Sequence, residues 1–174
     1  MVDVTLIALT DAELEDFIRA DVADFADYVE HLPAGPMKVA AEQEHVELEN
    51  RLRHEHSTAD AHGHRRWAAL AADGTRVGWL WVTPPMDDSP ADGAFLYQIL
   101  VKPSCRRKGF GRAMLAVLEA SLADDGDAEL RLHVNDSNHR AQALYSDAGY
   151  ERIAQLEGMT ELRKRLSVSR PSPS

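Results

Sequence analysis

The chain has 174 residues, a formal net charge of −10 and a hydrophobic fraction of 44%, proportions that suit one globular domain with a sizeable core. No apolar run reaches the ~18 residues a membrane helix needs, and Met1-Val2-Asp3-Val4-Thr5 lacks the basic and apolar regions of a signal peptide. Cys105 is the only cysteine, so no intrachain disulfide can form; these features point to the cytoplasm, with neither a membrane nor a nucleic acid as partner.

Val2 to Leu9 alternates loosely and is rich in β-branched residues, which predicts a first strand. Thr10 followed by Glu13 has the form of a capping box. Leu14, Phe17, Ile18, Val22 and Phe25 then recur at helical spacing until Leu32-Pro33-Ala34-Gly35-Pro36 breaks the helix. A second, charged helix is expected from about Val39 to His56, followed by a polar loop from Ser57 to Gly63. Trp67 to Ala71 and Val77 to Val82, on either side of Asp73-Gly74, read as an antiparallel pair, and Thr83 to Gly93 as a Pro- and Asp-rich loop. The apolar run Ala94 to Val101 suits a central, buried strand. Gly109 to Leu122 has helical periodicity through Met114, Leu115, Leu118 and Leu122, and closes at Asp124-Asp125-Gly126. Leu130 to Val134 reads as a strand and Asn135 to Ala148 as a short helix ended by Gly149. Two last strands are expected at Tyr150 to Leu156 and Met159 to Leu166, turning at Glu157-Gly158. The expectation is a single domain over residues 1–166, with a disordered tail over 167–174 that contains Pro171 and Pro173.

The charge is unevenly placed. Positions 11–50 carry twelve acids against two basic residues, Arg19 and Lys38. Elsewhere Lys102, Arg106, Arg107, Lys108 and Arg112 form a compact basic cluster with no acid among them. An acidic chain with one basic loop reads as an anion site on a surface otherwise tolerant of cations. The acidic segment also fits a plain solvated surface.

The basic cluster lies where a strand gives way to a helix. Helix N-termini offer unsatisfied N–H donors and a favourable dipole to an anion. In Arg106-Arg107-Lys108-Gly109-Phe110-Gly111 the two glycines permit unusual dihedrals and remove side chains that would block a phosphate, while Arg106, Arg107, Lys108 and Arg112 add charge. This segment resembles the cofactor motif of the GNAT superfamily of N-acetyltransferases: Arg or Gln, two residues, Gly, one residue, Gly or Ala. Downstream, Asn138-His139-Arg140-Ala141-Gln142-Ala143-Leu144-Tyr145 and then Gly149-Tyr150 resemble a second motif of the same family, and Val134-Asn135 before it fits. The resemblance is specific over about residues 94–152.

The resemblance implies an α/β (α+β) fold. Its mixed, mostly antiparallel sheet of about seven strands is splayed between strands 4 and 5 and flanked by about four helices, with acetyl-CoA lying in the gap. Backbone groups near Leu100 and Val101 would then bond the pantetheine arm. Amides of Arg106, Arg107, Lys108, Gly109, Phe110, Gly111 and Arg112 would receive the pyrophosphate, and Asn138 would contact the pantetheine. Tyr145 would stand by the thioester sulfur as general acid. The implied reaction is acetyl transfer from acetyl-CoA to a primary amine by direct attack through a tetrahedral intermediate, without a metal. The first two helices border the acceptor cleft in such folds. Their acidity here favours a cationic small molecule or a basic peptide, and a homodimer is left open.

One family feature is missing. Several relatives carry a carboxylate base on the splayed strand, where this chain has Tyr97 and Gln98, neither a good base near neutral pH. That absence keeps a second reading alive, a catalytically inactive CoA-binding or regulatory domain. Histidines 45, 54, 56, 62 and 64 match no metal-site spacing and read as flexible and exposed. Cys105 reads as a spectator beside the basic loop. Trp79 and Trp81 share one face of their strand by period-2 alternation, so either could line the acceptor site.

Overall fold

The computed structural model describes residues 2–85 and 93–167. Seven strands form in chain order: β1 Val4–Ala8, β2 Arg65–Ala71, β3 Arg76–Thr83, β4 Gly93–Val101, β5 Glu129–Asn135, β6 Glu151–Leu156 and β7 Met159–Arg165. The helices are α1 Asp11–His31, α2 Pro36–Thr58, α3 Phe110–Asp125 and α4 His139–Asp147. Each element lies within a few residues of its predicted place, and the differences have local causes. The helix expected to end at His56 runs on to Thr58, and a 3-10 turn over Asp60–His62 follows it, so most of the expected polar loop is helical. The helix expected from Asn135 starts only at His139, because the Asn135 side chain accepts the N–H of Ser137 at 2.9 Å in an Asx-type turn. Most of the predicted Thr83–Gly93 loop, at 86–92, and the predicted tail from 168 onward lie outside the described residues.

The chain divides into two compact units, residues 9–63 and residues 1–8 with 64–174. In the first unit α1 begins with the expected capping box: Thr10 Oγ1 accepts the Glu13 N–H, and Glu13 Oε2 accepts the Thr10 N–H at 2.9 Å. Phe17 and His56 meet edge to face with centroids 5.4 Å apart, and both are buried, so His56 is a packing residue and not the exposed histidine its sequence setting suggests. Arg53 joins the two helices by reaching Glu15 at 2.6 Å while also holding Glu49 at 2.9 Å.

The second unit is built on one sheet in the order β1-β2-β3-β4-β5-β7-β6, antiparallel throughout except between β4 and β5. Inward alternation of Leu130, Leu132 and Val134 on β5 meets the helical stripe Met114, Leu115, Leu118 and Leu122 of α3, and all seven are buried in one core. Gly126, with φ 99°, closes α3 in the left-handed region.

The parallel pair β4–β5 governs everything that follows. Its register is Gly93↔Glu129, Ala94↔Leu130, Phe95↔Arg131 and Leu96↔Leu132, and there it stops. β4 continues against β3 to Val101, and β5 continues against β7 to Asn135. The two strands therefore part at their C-terminal ends, and the splay expected between strands 4 and 5 is present. A β-bulge falls at the same place: Trp81 pairs with Gln98 and Val82 with Leu96, leaving Tyr97 as the extra residue that re-aims β4.

Gly78 allows β3, β4 and α3 to approach closely. A Cβ there would collide with the Leu100 carbonyl oxygen and stand 2.9 Å from Met114 Cε. Gly78→Ala should therefore destabilise the protein by about 1–3 kcal/mol, the usual cost of overpacking. Urea unfolding that gave an unchanged midpoint would contradict this packing.

Candidate active site

The site grows from the ends of the two parted strands. β4 leads through a short 3-10 turn, Pro103–Cys105, into the loop before α3, and β5 leads through the Asn135–Ser137 turn into α4. Both helix N-termini thus follow directly from the carboxyl ends of the parallel strands, where crevices of open α/β sheets take their ligands.

The basic loop has a defined backbone. Arg107 has φ 61° and Gly109 φ 87°, two left-handed residues just before α3. Such alternation turns successive N–H groups toward a common concavity. Gly109 occupies the N-cap, and no side chain caps the helix, so its first-turn donors keep the capacity to bind an anion. Gly111 does not need unusual dihedrals, contrary to the expectation for both glycines. A Cβ on it would stand 3.6 Å from both Val101 Cγ2 and Leu144 Cδ2, ordinary contact distances, so a larger side chain than Cβ is what this space between β4 and α4 would resist.

The cations divide their work differently from the sequence expectation that all of them add charge for a phosphate. Arg106 Nε donates to the Val101 carbonyl at 3.0 Å, which ties the loop to the end of β4 and engages one of the backbone groups expected to serve the pantetheine. Lys108 Nζ donates to the Ser104 carbonyl at 2.8 Å. Arg112 pairs with Asp147 at 2.7 Å across α3 and α4, both side chains well exposed, a contact worth little in energy but placed to hold the two helices together. Arg107 is exposed and has no partner among the described residues. Cys105 is buried within the core, consistent with its reading as a spectator.

Asn138 is the N-cap of α4, its Oδ1 accepting the Ala141 N–H at 3.0 Å, and it remains exposed. Tyr145 lies one helical stretch further on, 6% exposed, and burial pushes its hydroxyl up to about 12. Its ring meets Tyr150 edge to face at 5.5 Å, and its carbonyl accepts the Tyr150 N–H at 3.0 Å. Tyr150 is buried too. Burial and the neighbouring Glu119 carboxylate raise its hydroxyl further, and Glu119 is itself bound by Lys164 at 2.5 Å. The Gly149-Tyr150 pair read from sequence as part of a motif therefore acts as a support under Tyr145.

On the sheet face opposite α3, Tyr97 is 45% exposed and meets Trp81 at a tilt, ring centroids 4.7 Å apart. The indole N–H of Trp81 donates to His64 Nδ1 at 3.1 Å. Trp79 and Trp81 lie on this face and are almost fully buried, as alternation predicted. The same face of β5 presents Glu129, Arg131, His133 and Asn135. Arg131 binds Glu129 at 2.5 Å and Glu161 of β7 at 3.5 Å. Glu129, Arg131 and His133 were not singled out in the sequence, although strict alternation with Leu130, Leu132 and Val134 was a signal that could have found them. Among the described residues no group of three or more His, Cys, Asp or Glu side chains could hold a metal, and no helix is long and apolar enough to cross a membrane.

A sheet parted at the carboxyl ends of two parallel strands, with an uncapped helix N-terminus and a basic loop at the opening, is the architecture of an acyl-CoA-dependent transferase of the GNAT type. Residues 25–150 match the sequence model of the Acetyltransferase (GNAT) family. The Uncharacterized N-acetyltransferase YdgE of Bacillus subtilis (strain 168) is 30% identical over 164 residues, which is 92% of this chain and 96% of that protein. The crystal structure of spermidine N-acetyltransferase from Vibrio cholerae in complex with CoA and spermine superposes with a TM-score of 0.69 at 16% identity, covering 95% of this chain and 97% of that one. That of a GNAT phosphinothricin acetyltransferase from Sinorhizobium meliloti in complex with AcCoA gives 0.68 at 17% identity, covering 98% and 93%. The chain belongs to the GNAT acetyltransferase family and is an acyltransferase that transfers acetyl with coenzyme A as its carrier.

Proposed function

We propose that this enzyme moves an acetyl group from acetyl-CoA to a primary amine carried by a cationic small molecule or a basic peptide. The amine attacks the thioester directly, through a tetrahedral intermediate, and no enzyme-bound acyl group is formed. The observation that carries the reading is the end of β4–β5 pairing at Leu96↔Leu132, which opens a cleft beside the uncapped start of α3. The family match over 25–150 runs through both compact units, which supports one functional domain over residues 1–166.

In this reading the N–H of Val101 serves the pantetheine arm, while the Leu100 carbonyl lies against Gly78 of β3 and leaves that task to its neighbour. The amides of Arg106 to Arg112, with the Arg107 side chain, hold the pyrophosphate. The Asn138 amide nitrogen, which the helix cap leaves over, contacts the pantetheine. Tyr145 faces the departing sulfur. With its hydroxyl held to about 12, well above the range of an alkyl thiol, full proton transfer to the thiolate is uphill. Tyr145 therefore stabilises the leaving sulfur mainly by donating a hydrogen bond, and its raised pKa keeps it protonated across neutral and mildly alkaline pH.

The acceptor class rests on charge. Twelve carboxylates against two basic residues over positions 11–50 create a negative potential that concentrates cations and weakens with salt. A panel of polyamines, aminoglycosides, Lys-bearing peptides and neutral amines, read by mass spectrometry, tests this. The cationic members should be acetylated with a kcat/KM that falls as ionic strength rises. Preference for a neutral or anionic acceptor would refute the electrostatic argument, and no acetylation of any amine would favour an inactive CoA-binding domain.

Tyr145→Phe should lower kcat by roughly 10- to 10⁴-fold with little change in CoA affinity. Wild-type kcat should show no alkaline fall attributable to this hydroxyl through pH 10, because a group held to about 12 remains protonated there. An unchanged kcat in the variant would leave Tyr145 a packing role only.

A further inference from the structure

Acetyl transfer to an ammonium needs a group that takes its proton, and β4 offers no carboxylate for it. The structure places a different titratable side chain at the opening. Leu96↔Leu132 is the last β4–β5 pair, so Tyr97 and His133 are the first residues of the two strands beyond the parting point. Leu132 and Val134 point into the core beneath α3, and His133 points to the opposite face. There its ring meets Phe95 edge to face, centroids 4.9 Å apart and planes at 80°. The ring is held by apolar packing, and no hydrogen bond or ion pair engages its nitrogens among the described residues.

The charged groups around it are already engaged with one another. Glu161, directly opposite on β7, is bound by Arg131, which also holds Glu129. Arg163, the diagonal neighbour on β7, pairs with Glu151 at 3.5 Å. From β4 comes the phenol of Tyr97, and from beyond it His64, whose Nδ1 accepts the Trp81 indole N–H. A carboxylate held by a guanidinium is a poor proton acceptor, and a phenol or an amide is worse. Imidazole is the side chain that both accepts and releases a proton near neutral pH.

We propose that His133 is the general base of the acetyl transfer, an inference that rests on the proposed function above. The acceptor ammonium gives one proton to a His133 ring nitrogen, directly or through one water. The freed nitrogen lone pair forms the new C–N bond, the C–S bond breaks with its electron pair going to sulfur, and the second nitrogen proton ends on that sulfur. His133 then returns its proton to solvent. The balance is one ammonium and one thioester consumed, with one amide, one thiol and one proton formed. Base and leaving-group donor stand on opposite faces of the parted sheet, His133 on one and Tyr145 in the core on the other, as direct attack through the gap requires.

His133→Gln keeps the size and polarity of the ring and cannot titrate near neutrality. On an alkylamine that the wild type acetylates, its kcat/KM at pH 7 should fall by about 10²- to 10⁴-fold. Its profile should climb about tenfold per pH unit as free amine appears, where the wild type levels off. An accepted amine that is already unprotonated at pH 7, such as an acyl hydrazide, should lose far less. CoA affinity by calorimetry should be unchanged. The His133 imidazole signals in NMR, assigned by their absence in the variant, should shift when CoA is added to the wild type. His64→Gln should retain the wild-type profile.

A wild-type rate and profile in His133→Gln would overturn the proposal. So would an equal loss on ammonium and unprotonated amines, which marks a packing role, or transfer of the effect to His64→Gln. Wild-type protein that acetylates no amine would sink the proposed function and this inference together, and that result appears before any variant is made.

Discussion

A parallel pair of strands that stops bonding after Leu96↔Leu132 is the constraint on which the rest of this molecule depends. Backbone groups left unpaired inside a sheet cost free energy unless something bonds them. Here that cost is offset on either side of the gap. β3 holds β4 to its last residue and β7 holds β5 to its last, so each half of the sheet is complete apart from the gap. The Tyr97 bulge bends β4 at the parting point, and Gly78 lets β3 and α3 close over its far end.

The surroundings of the gap show two kinds of chemistry on its two faces. Toward α3 and α4 it is apolar and dry, with Tyr145, Tyr150 and the core leucines. Desolvation there raises both phenols and keeps them protonated. On the other face titratable side chains stand at the opening, exposed Tyr97 and half-buried His133, next to the largely buried Arg131 ion pairs. A leaving thiolate is best met by a protonated donor in a dry site, and an incoming ammonium by a face from which a proton can reach water. The basic loop stands at the open end and is rigidified by its own cations, since Arg106 and Lys108 bond backbone carbonyls of the loop and strand they border. Arg112 reaches Asp147 between the two helices, an exposed pair that adds little energy.

Local signals in the sequence were enough for much of this. The capping box at Thr10 and Glu13, the α3 stripe, and the two motifs at Arg106–Gly111 and Asn138–Tyr145 all depend on residues close in the chain, and the helices and loops formed where those signals lie. What stayed hidden depends on register between distant segments. Nothing near Leu96 or Leu132 says that they are the last pair, because that follows from how β3, β7 and α3 compete for the same strands. The fate of individual cations was equally hidden: Arg106 looks like a phosphate ligand in the motif, yet its Nε bonds Val101. His133 sits in no motif, and its place beside the gap appears only once β5 is paired on both sides. His56 looked exposed because its neighbours are polar, but Phe17, 39 positions earlier, buries it.

The central claim is that the unpaired edge of β4 beyond Leu96 is where coenzyme A lies. Backbone hydrogen exchange of residues 97–101, followed by NMR with and without CoA, measures that edge directly. The account predicts that amides there which β3 does not bond exchange fast in the free protein and become protected when CoA is added, together with the first-turn amides of α3. Amides of β6, at the far edge of the sheet, should not change. CoA binding that left residues 97–101 unprotected, or that protected only amides remote from α3, would contradict it.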